Sequence, residues 1–460
     1  MKMLKKQCRI ILFFSLFSLT TIYSLLAENR NNFVEQPKNQ TTIEEMEENQ
    51  NKPQKSDSFY WLYLGTSTAE PTKEMKMAGI PKSEGLYAAR FYPEDGRIEN
   101  IHLAVPMRSS SFIAMDDEKG ILYVVGQAQP EDGDNNVYAY KIDRKTGNLT
   151  YINHQSVKGL HGCHLSLHPK RTFLAVANYS SGDFAVLRIN SDGSIGEMTG
   201  FVKKEGNGPN QRRQDSAKGH AAYFIENQGI TRIFMVDLGS DKVYIQKLNE
   251  ETGEVQDDPQ IPLLKCPPGS GPRHLAWSTN PEGILTVYVL NELDSTLSIF
   301  GLDFRGENNA QNRLTCWGTW STIEEKYRDK LTDEVSLVDG IHYKYGNKTS
   351  EIEILPIQGS LRLYASNRGQ NSIVVFDVNS FNHSAATPCP ILLQREPTKG
   401  EFPRFFMSDP TSRFLLVANK MSGSIYVFEI EKESGNLILA SDQPSKLAWC
   451  IAMGFATPEE

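Results

Sequence analysis

Apolar and polar residues follow one another in a pattern that recurs along most of the chain. Each copy has a short apolar run, a turn rich in Gly, Asp, Asn and Ser, and a segment in which apolar and polar residues alternate. This pattern predicts a β-hairpin, because strand side chains point alternately to two faces and these turn residues favour tight reversals. The copies start at Tyr63, Tyr123, Leu174, Ile233, Tyr288, Leu363 and Leu415, as in "LAVANYSSGDFAVLRIN", "YVLNELDSTLSIF" and "LYASNRGQNSIVVFDV".

Further strands flank the hairpins. A strand and a D/N/H-P turn precede several of them, as in "GCHLSLHPKRTFLAVAN", and a turn with another strand follows others, as in "KIDRKTGNLTYI". Units of about 50 to 60 residues with four short strands each predict an all-β fold, a seven-bladed β-propeller with four-stranded antiparallel blades around a central channel. Unrelated β-sandwiches are the alternative, but the same turn chemistry at a near-constant interval favours the propeller.

Two segments modify this repeat. The longest interval contains residues 320–336, "WSTIEEKYRDKLTDEVS", which are charged and compatible with a helix. We interpret them as an insertion between hairpins, either a lid or a surface elaboration. The C-terminal "LAWCIAMGF" has the character of a strand that completes a blade and closes the ring, which protects edge strands from aggregation. The propeller domain is therefore predicted to span residues 58–460.

The N-terminal residues differ from the repeat. Basic residues precede an apolar stretch from Ile10 to about Leu26, and small residues follow it, which predicts a secretory signal peptide over residues 1–27. An uncleaved anchor helix is the alternative reading of this stretch. Residues 28–57 are rich in Asn, Gln and Glu with few apolar side chains, so we expect a disordered linker. The prediction is an exported protein, periplasmic or extracellular, without stable membrane insertion after cleavage.

Composition narrows the functional classes. The net charge is −8 and no dense basic stripe is present, so a nucleic-acid partner is not expected. Apart from Cys8, the five cysteines are an odd number without C-x-x-C spacing, which implies neither a disulfide framework nor a zinc site. The nine histidines do not cluster at metal-ligand spacing, and G-x-S-x-G, P-loop and H-E-x-x-H motifs are missing. We therefore expect no cofactor and no metal; the oligomeric state stays open.

Polar residues at equivalent positions of the repeat are candidates for chemistry. Residues at strand openings or hairpin ends should converge at one mouth of the central channel, where propellers commonly form a pocket. The candidates are His164, His220, Arg273, His274, Asn291, Glu292, Arg368 and Arg404. Arginines bind carboxylate or phosphate through paired hydrogen bonds, and a Glu or His can act as a general base. The alternative is that these residues only satisfy turn backbones and tie neighbouring blades together.

Longer motifs carry a family resemblance. "GSGPRHLAW", "VYVLNELDSTLSIF", "LYASNRGQNSIVVFDV" and "FPRFFMSDPTSRFLLVANKMSGSIYVFEIEKESGNL" resemble the lactonase family of seven-bladed propellers, over nearly the whole chain after residue 58. That family includes propeller-type 6-phosphogluconolactonases and the fungal carboxy-cis,cis-muconate cyclase. The resemblance implies hydrolysis of a sugar δ-lactone, usually 6-phospho-D-glucono-1,5-lactone, so the expected partner is a small anionic sugar lactone.

The resemblance also implies a catalytic set. The cyclase relatives' proposed His, Arg, Glu and Arg correspond to His220, Arg273, Glu292 and Arg368. Glu292 or His220 would activate water, while the two arginines would bind the anionic group or the oxyanion. His164, His274, Asn291 and Arg404 are the predicted substrate-binding residues. Two other functions stay open at this point: a non-catalytic propeller that serves as a binding platform, and a lactone-forming cycloisomerase.

Overall fold

The structure is a computed structural model of the chain. It describes residues 58–126, 135–305, 314–328, 336–338, 341–343, 346–381 and 388–459. The predicted signal peptide and linker, residues 1–57, lie outside the described residues and stay predictions. Among the helices that the structure describes, none is long and apolar enough to cross a membrane.

β-strands make up most of the described chain. In chain order they are β1 (Tyr60–Thr66), β2 (Gly85–Phe91), β3 (Ile98–Pro106), β4 (Ser110–Asp116), β5 (Ile121–Gly126), β6 (Asn136–Ile142), β7 (Leu149–Ser156), β8 (Gly162–Leu167), β9 (Phe173–Asn178), β10 (Asp183–Ile189), β11 (Ile195–Lys203), β12 (Gly219–Asn227), β13 (Ile230–Asp237), β14 (Lys242–Leu248), β15 (Val255–Asp257), β16 (Leu263–Lys265), β17 (Pro272–Thr279), β18 (Leu285–Asn291), β19 (Thr296–Leu302), β20 (Leu314–Ser321), β21 (Ser336–Val338), β22 (Ile341–Tyr343), β23 (Lys348–Ile357), β24 (Ser360–Arg368), β25 (Ser372–Asp377), β26 (Ile391–Pro397), β27 (Pro403–Ser408), β28 (Phe414–Asn419), β29 (Ser424–Ile430), β30 (Leu437–Leu439), β31 (Ser445–Lys446) and β32 (Cys450–Ala456). The helical elements are short: α1 (Lys73–Met77), α2 (Glu325–Arg328) and a 3-10 turn at Asn379–Phe381.

These strands form seven antiparallel blades, as predicted. Six blades follow the chain, in the orders β4-β5-β6-β7, β8-β9-β10-β11, β12-β13-β14-β15 with β16 beside β14, β17-β18-β19-β20, β23-β24-β25-β26, and β27-β28-β29-β30 with β31 beside β29. The seventh has the order β3-β2-β1-β32, so the C-terminal strand pairs with the first strand of the propeller. The predicted closure of the ring by "LAWCIAMGF" is thereby confirmed.

The hydrophobic core lies between the blades. Seven clusters of buried apolar side chains each join two neighbouring blades, and together they run once around the ring. A central strand such as β9 or β18 is buried along its whole length because it packs on both neighbours. An outer strand such as β11 is only partly buried, because one of its faces meets solvent.

One strand of each blade faces the central channel. These inner strands, each of which contacts the next around the ring, are β4, β8, β12, β17, β23, β27 and β32. Residues near the beginning of each inner strand therefore meet at one end of the channel, and residues further along meet at the other. This geometry brings together side chains that are far apart in sequence.

The predicted insertion at residues 320–336 is only partly helical. Its first two residues belong to β20, the helix is limited to α2, and its last residue begins the small hairpin of β21 and β22. A helix-compatible composition gives only a weak preference for helix, since isolated helices of this length are only marginally stable in water. Residues 329–335 lie outside the described residues, and a lid function stays a prediction.

The cysteines that the structure describes form no disulfide bond. All five described cysteines are free: Cys163, Cys266, Cys316, Cys389 and Cys450. Cys163 is buried in the wall of the candidate site, where its thiol donates a hydrogen bond to the His220 carbonyl at 3.3 Å. Burial raises the pKa of the Cys163 thiol to about 12. A protonated, buried thiol is unsuited to nucleophilic catalysis.

Candidate active site

A cavity of about 390 Å³ opens at the end of the channel where the inner strands begin. Its wall consists of His161, Cys163, Tyr179, Arg213, His220, Glu292, Lys348, Arg368, Phe402 and Arg404. Charged groups dominate this wall, with several cations around one carboxylate. Glu292, whose side chain is almost completely buried, lies at its centre.

Glu292 is held in place by the loop that precedes β17. Its backbone N–H donates to the Gly271 carbonyl at 2.7 Å, directly after β18 ends. Gly271 has a φ of +62°, and a Cβ there would lie 2.5 Å from Leu293, so only glycine fits this approach. The Gly271 N–H in turn donates to Asp241 at 2.8 Å. The turn therefore places Glu292 and the start of β17, which carries Arg273, next to each other.

Three arginines and a histidine surround the Glu292 carboxylate. Arg213 Nη2 lies 2.6 Å from Oε1, whereas Arg368 Nη2 and Arg273 Nε lie 2.9 Å and 3.3 Å from Oε2. His220 Nε2 is 3.8 Å from the same Oε2. The predicted catalytic set of His220, Arg273, Glu292 and Arg368 therefore converges on one carboxylate.

Backbone carbonyls orient two of these arginines. Arg273 Nη1 donates to the Ser350 carbonyl and Arg368 Nη2 to the Thr349 carbonyl, each at 2.5 Å. Arg368 also lies over the Phe402 ring, 5.2 Å from its centroid. The guanidinium groups are thus positioned before any ligand binds, which reduces the ordering cost of binding.

Arg213 was missed by the sequence analysis. It lies in the loop before β12, and its Nη2 also donates to Tyr179 Oη at 3.1 Å. The neighbouring Gln214 is fully buried and fastens this loop through Nε2, which donates to Asp241 at 2.7 Å and to the Leu238 carbonyl at 2.9 Å. This loop, residues 204–218, is longer than the connections before β8 and β27, so positional equivalence could not reveal Arg213. The Arg212-Arg213 pair just before His220 was the only available signal.

Charge determines the protonation states in the site. Burial alone would raise the pKa of Glu292, but the charges of Arg368, Arg213 and their neighbours outweigh it and hold that pKa well below its usual range. Burial, together with the charge of Arg273, lowers the pKa of His220 well below its usual value. At neutral pH the site therefore contains a carboxylate and a neutral imidazole.

Arg404 supplies a positive charge that has no ion-pair partner among the described residues. Its side chain lines the cavity, and none of the described carboxylates forms an ion pair with it. Burial and the like charges of Arg273 and Arg368 lower its pKa to about 9. Burial and the charges of Arg404 and Arg368 likewise lower the pKa of Lys420 to about 7. An anion in the cavity would relieve this repulsion.

Three predicted substrate-binding residues do not line this cavity. His164 lies further along β8 and faces a different cavity, while His274 Nδ1 lies 2.7 Å from Glu351. The side chains of successive strand residues point to opposite sides, so the His274 side chain does not point to the same side of β17 as that of Arg273. The Asn291 amide instead donates to Thr296 and Ser298, both at 2.9 Å, and thereby stabilises its hairpin. Of the four predicted substrate-binding residues, only Arg404 lines the cavity.

The fold and the site together define a class of protein: a seven-bladed propeller with an arginine-ringed carboxylate at one mouth of its channel. The family model described as "Lactonase, 7-bladed beta-propeller" matches residues 61–452. The chain belongs to this lactonase family. The resemblance stated from the sequence motifs is confirmed.

Named relatives extend over the same part of the chain. A 6-phosphogluconolactonase of Formosa agariphila is 30% identical over 77% of this chain and 90% of its own length. A 6-phosphogluconolactonase of Bacillus subtilis is 29% identical over 78% of this chain and 90% of its own length. The solved structure of a Pseudomonas aeruginosa periplasmic gluconolactonase has a TM-score of 0.70 at 24% identity, and the match covers 87% of this chain and all of that one. This last similarity supports the fold.

Proposed function

We propose that this protein hydrolyses an anionic sugar lactone, with 6-phospho-D-glucono-1,5-lactone as the candidate substrate and 6-phosphogluconate as the product. The observation that carries the proposal is the buried Glu292 within a ring of three arginines, beside a cavity lined by a further arginine, Arg404, with which no described carboxylate forms an ion pair. A binding platform would not require a desolvated carboxylate at this position. The two relatives named 6-phosphogluconolactonase support the choice of lactone.

In the proposed reaction, water attacks the lactone carbonyl carbon while Glu292 accepts a proton from that water. The carbonyl π electrons move to oxygen, and Arg273 or Arg368 stabilises the resulting oxyanion. When the tetrahedral intermediate collapses, the bond from the carbonyl carbon to the ring oxygen breaks, and Glu292 returns the proton to that oxygen. The products are a carboxylic acid, which ionises, and a free hydroxyl group. His220 is the second candidate for the base.

Substrate binding would prepare Glu292 for this role. In the ligand-free site the guanidinium groups make Glu292 a weak base. A phosphate in the cavity would neutralise part of that positive charge, so the pKa of Glu292 would rise toward the range in which a carboxylate accepts protons effectively. The anion would therefore contribute to catalysis as well as to binding.

The direct test is hydrolysis of a lactone panel by the purified chain. Lactones hydrolyse spontaneously, so rates are compared with buffer alone, by pH-stat or NMR, for phosphorylated and unphosphorylated gluconolactone. We expect a rate above the buffer rate that is greatest for the phosphorylated lactone. A wild-type rate equal to the buffer rate on every lactone would contradict the proposed function.

Arg404→Met should raise KM for the phosphorylated lactone much more than KM for the unphosphorylated one. Loss of a charge-assisted hydrogen bond is worth about 1.5–3 kcal/mol, so we expect KM for the phosphorylated lactone to rise about 10- to 100-fold. KM for unphosphorylated gluconolactone should change little. Arg212→Met is the matched control, because Arg212 is exposed beside Arg213 and its replacement removes an equal charge outside the cavity. Equal losses on both substrates would contradict a phosphate-binding role for Arg404.

The affinity of the site for an anion should fall as pH rises. Lys420, with a pKa of about 7, attracts an anion only while it is protonated, whereas the Arg404 guanidinium keeps its charge. Binding should therefore be strongest below pH 7 and weaken as pH rises through that value. Calorimetric titration with sulfate, whose charge is constant over this range, measures the effect. Lys420→Met should remove the change in sulfate affinity near pH 7. A wild-type affinity that does not change with pH would refute the role of Lys420 in attracting the anion.

A further inference from the structure

A second cavity, of about 410 Å³, lies toward the opposite end of the central channel. It shares no lining residue with the first, because its side chains come from later positions of inner strands such as β8, β17, β23 and β27. The lining includes Ser166, Trp277, Glu353 and Met407. The rings of His220, His274 and His164 lie between the cavities, with successive centroids 5.3 Å and 5.2 Å apart. This cavity is therefore separate from the proposed active site.

Two carboxyl groups face the second cavity. Glu351 is only 8% exposed, and its Oε1 lies 2.7 Å from His274 Nδ1, but its Oε2 has no hydrogen-bond partner among the described residues. Glu353 accepts from Ser408 through the backbone N–H at 3.0 Å and through Oγ at 2.5 Å. Burial raises the pKa of both Glu351 and Glu353 to about 7. A buried carboxyl with an unused oxygen is costly unless something donates to it.

A second polar group of the lining is also unused. The Ser166 hydroxyl is buried and has no hydrogen-bond partner among the described side chains and backbone groups. Neither lysine nor arginine contributes to the lining of this cavity. Among the described lining residues, the second cavity therefore offers oxygen acceptors and no lysine or arginine, although the charges of Arg273, Arg404 and Arg368 act on Glu351 from outside the lining.

The remaining wall is largely aromatic. Phe112 and Phe405 pack edge to face at a centroid distance of 5.8 Å, and Tyr223 and Trp277 do so at 5.9 Å. Trp277 is 39% exposed, so this wall reaches the opening of the cavity. Aromatic faces attract cations electrostatically and also accept the apolar part of an amphipathic ligand.

We propose that the second cavity binds a primary ammonium ion that carries a short apolar chain. The three N–H groups of such an ion can donate to Glu351 Oε2, to Ser166 Oγ and to the Glu353 carboxylate, while the chain lies against the aromatic wall. A quaternary ammonium ion has no N–H group and leaves these oxygens unsatisfied. An alcohol of the same shape has no charge to compensate the carboxylates.

Calorimetric titration of the full chain with n-butylammonium chloride tests this proposal, with pentan-1-ol as the uncharged probe of similar length and tetramethylammonium as the probe without N–H groups. We expect one butylammonium per chain and at least about tenfold weaker binding of both comparison probes, since a hydrogen bond to a charged group is worth about 1.5–3 kcal/mol. Equal affinity for pentan-1-ol would show an apolar pocket only. If butylammonium does not bind, the cavity holds only water. Either this result or equal affinity for pentan-1-ol overturns the proposal.

Variants locate the binding. Glu353→Gln should weaken butylammonium binding about tenfold or more while keeping the side-chain volume, and Ser166→Ala should weaken it by a smaller factor. Glu292→Gln, on the first cavity, should leave it unchanged, so this test stands apart from the lactonase proposal. Circular dichroism and melting temperature verify that each variant is folded. Unchanged affinity in both folded Glu353→Gln and Ser166→Ala would place the ammonium elsewhere and refute the assignment.

Discussion

Replacing Glu292 by glutamine is expected to lower kcat on the phosphorylated lactone about 10²- to 10⁴-fold, the range that general-base catalysis contributes. Glutamine has nearly the same shape but cannot accept a proton from water. The measurement is the initial rate above the buffer rate, with His220→Gln assayed in parallel. A large loss in Glu292→Gln with a smaller one in His220→Gln supports Glu292 as the base. The reverse order would assign that role to His220.

Glu292→Gln should also lower the stability of the protein, so its folding must be checked before the rates are compared. Without Glu292, the guanidinium groups of Arg213, Arg273 and Arg368 lose the carboxylate that they share. We expect a lower melting temperature that inorganic phosphate partly restores, because the added anion takes the place of the lost charge. Rates are therefore compared at a temperature where circular dichroism shows that both proteins are folded. A folded variant with wild-type kcat would contradict a catalytic role for Glu292.

Replacing Arg232 by methionine is expected to lower the free energy of unfolding by about 3–5 kcal/mol, the usual cost of removing one partner of a buried ion pair. Arg232 is 1% exposed on β13, its Nε donates to Asp258 at 2.7 Å, and its guanidinium lies 3.6 Å from the Phe304 ring centroid of the next blade. The substitution leaves Asp258 buried without its cation. Urea denaturation followed by tryptophan fluorescence measures the change.

An exposed ion pair provides the comparison for Arg232. Arg305 Nε lies 2.9 Å from Asp303 at the protein surface, so Arg305→Met should leave the urea midpoint unchanged. The double variant Arg232→Met, Asp258→Asn should recover part of the stability, because no uncompensated charge stays buried. If Arg232→Met were as mild as Arg305→Met, the ion pair would not be important for the packing of these two blades.

The sequence alone predicted that most residues of the candidate site converge, because they occupy equivalent places in a repeat. Arg273 and Arg404 are each the second residue of an inner strand, while Arg368 ends β24 and Glu292 directly follows β18. Equivalent places in a repeat lie at the same height along the channel. His164 and His274 were misplaced because sequence position alone did not show which side of the inner strand each side chain faces. Their actual neighbours, such as Glu351, come from other blades.

The sequence by itself determined the hairpins, the number of blades and the closure of the ring. These features depend on the alternation of side chains and on turn residues, which act over a few positions of the chain. Only the tertiary structure decided that Arg213 reaches Glu292, and that a second, acidic cavity lies further along the channel. Such contacts join residues from different blades, so their distances depend on how the whole ring closes, which no local pattern encodes.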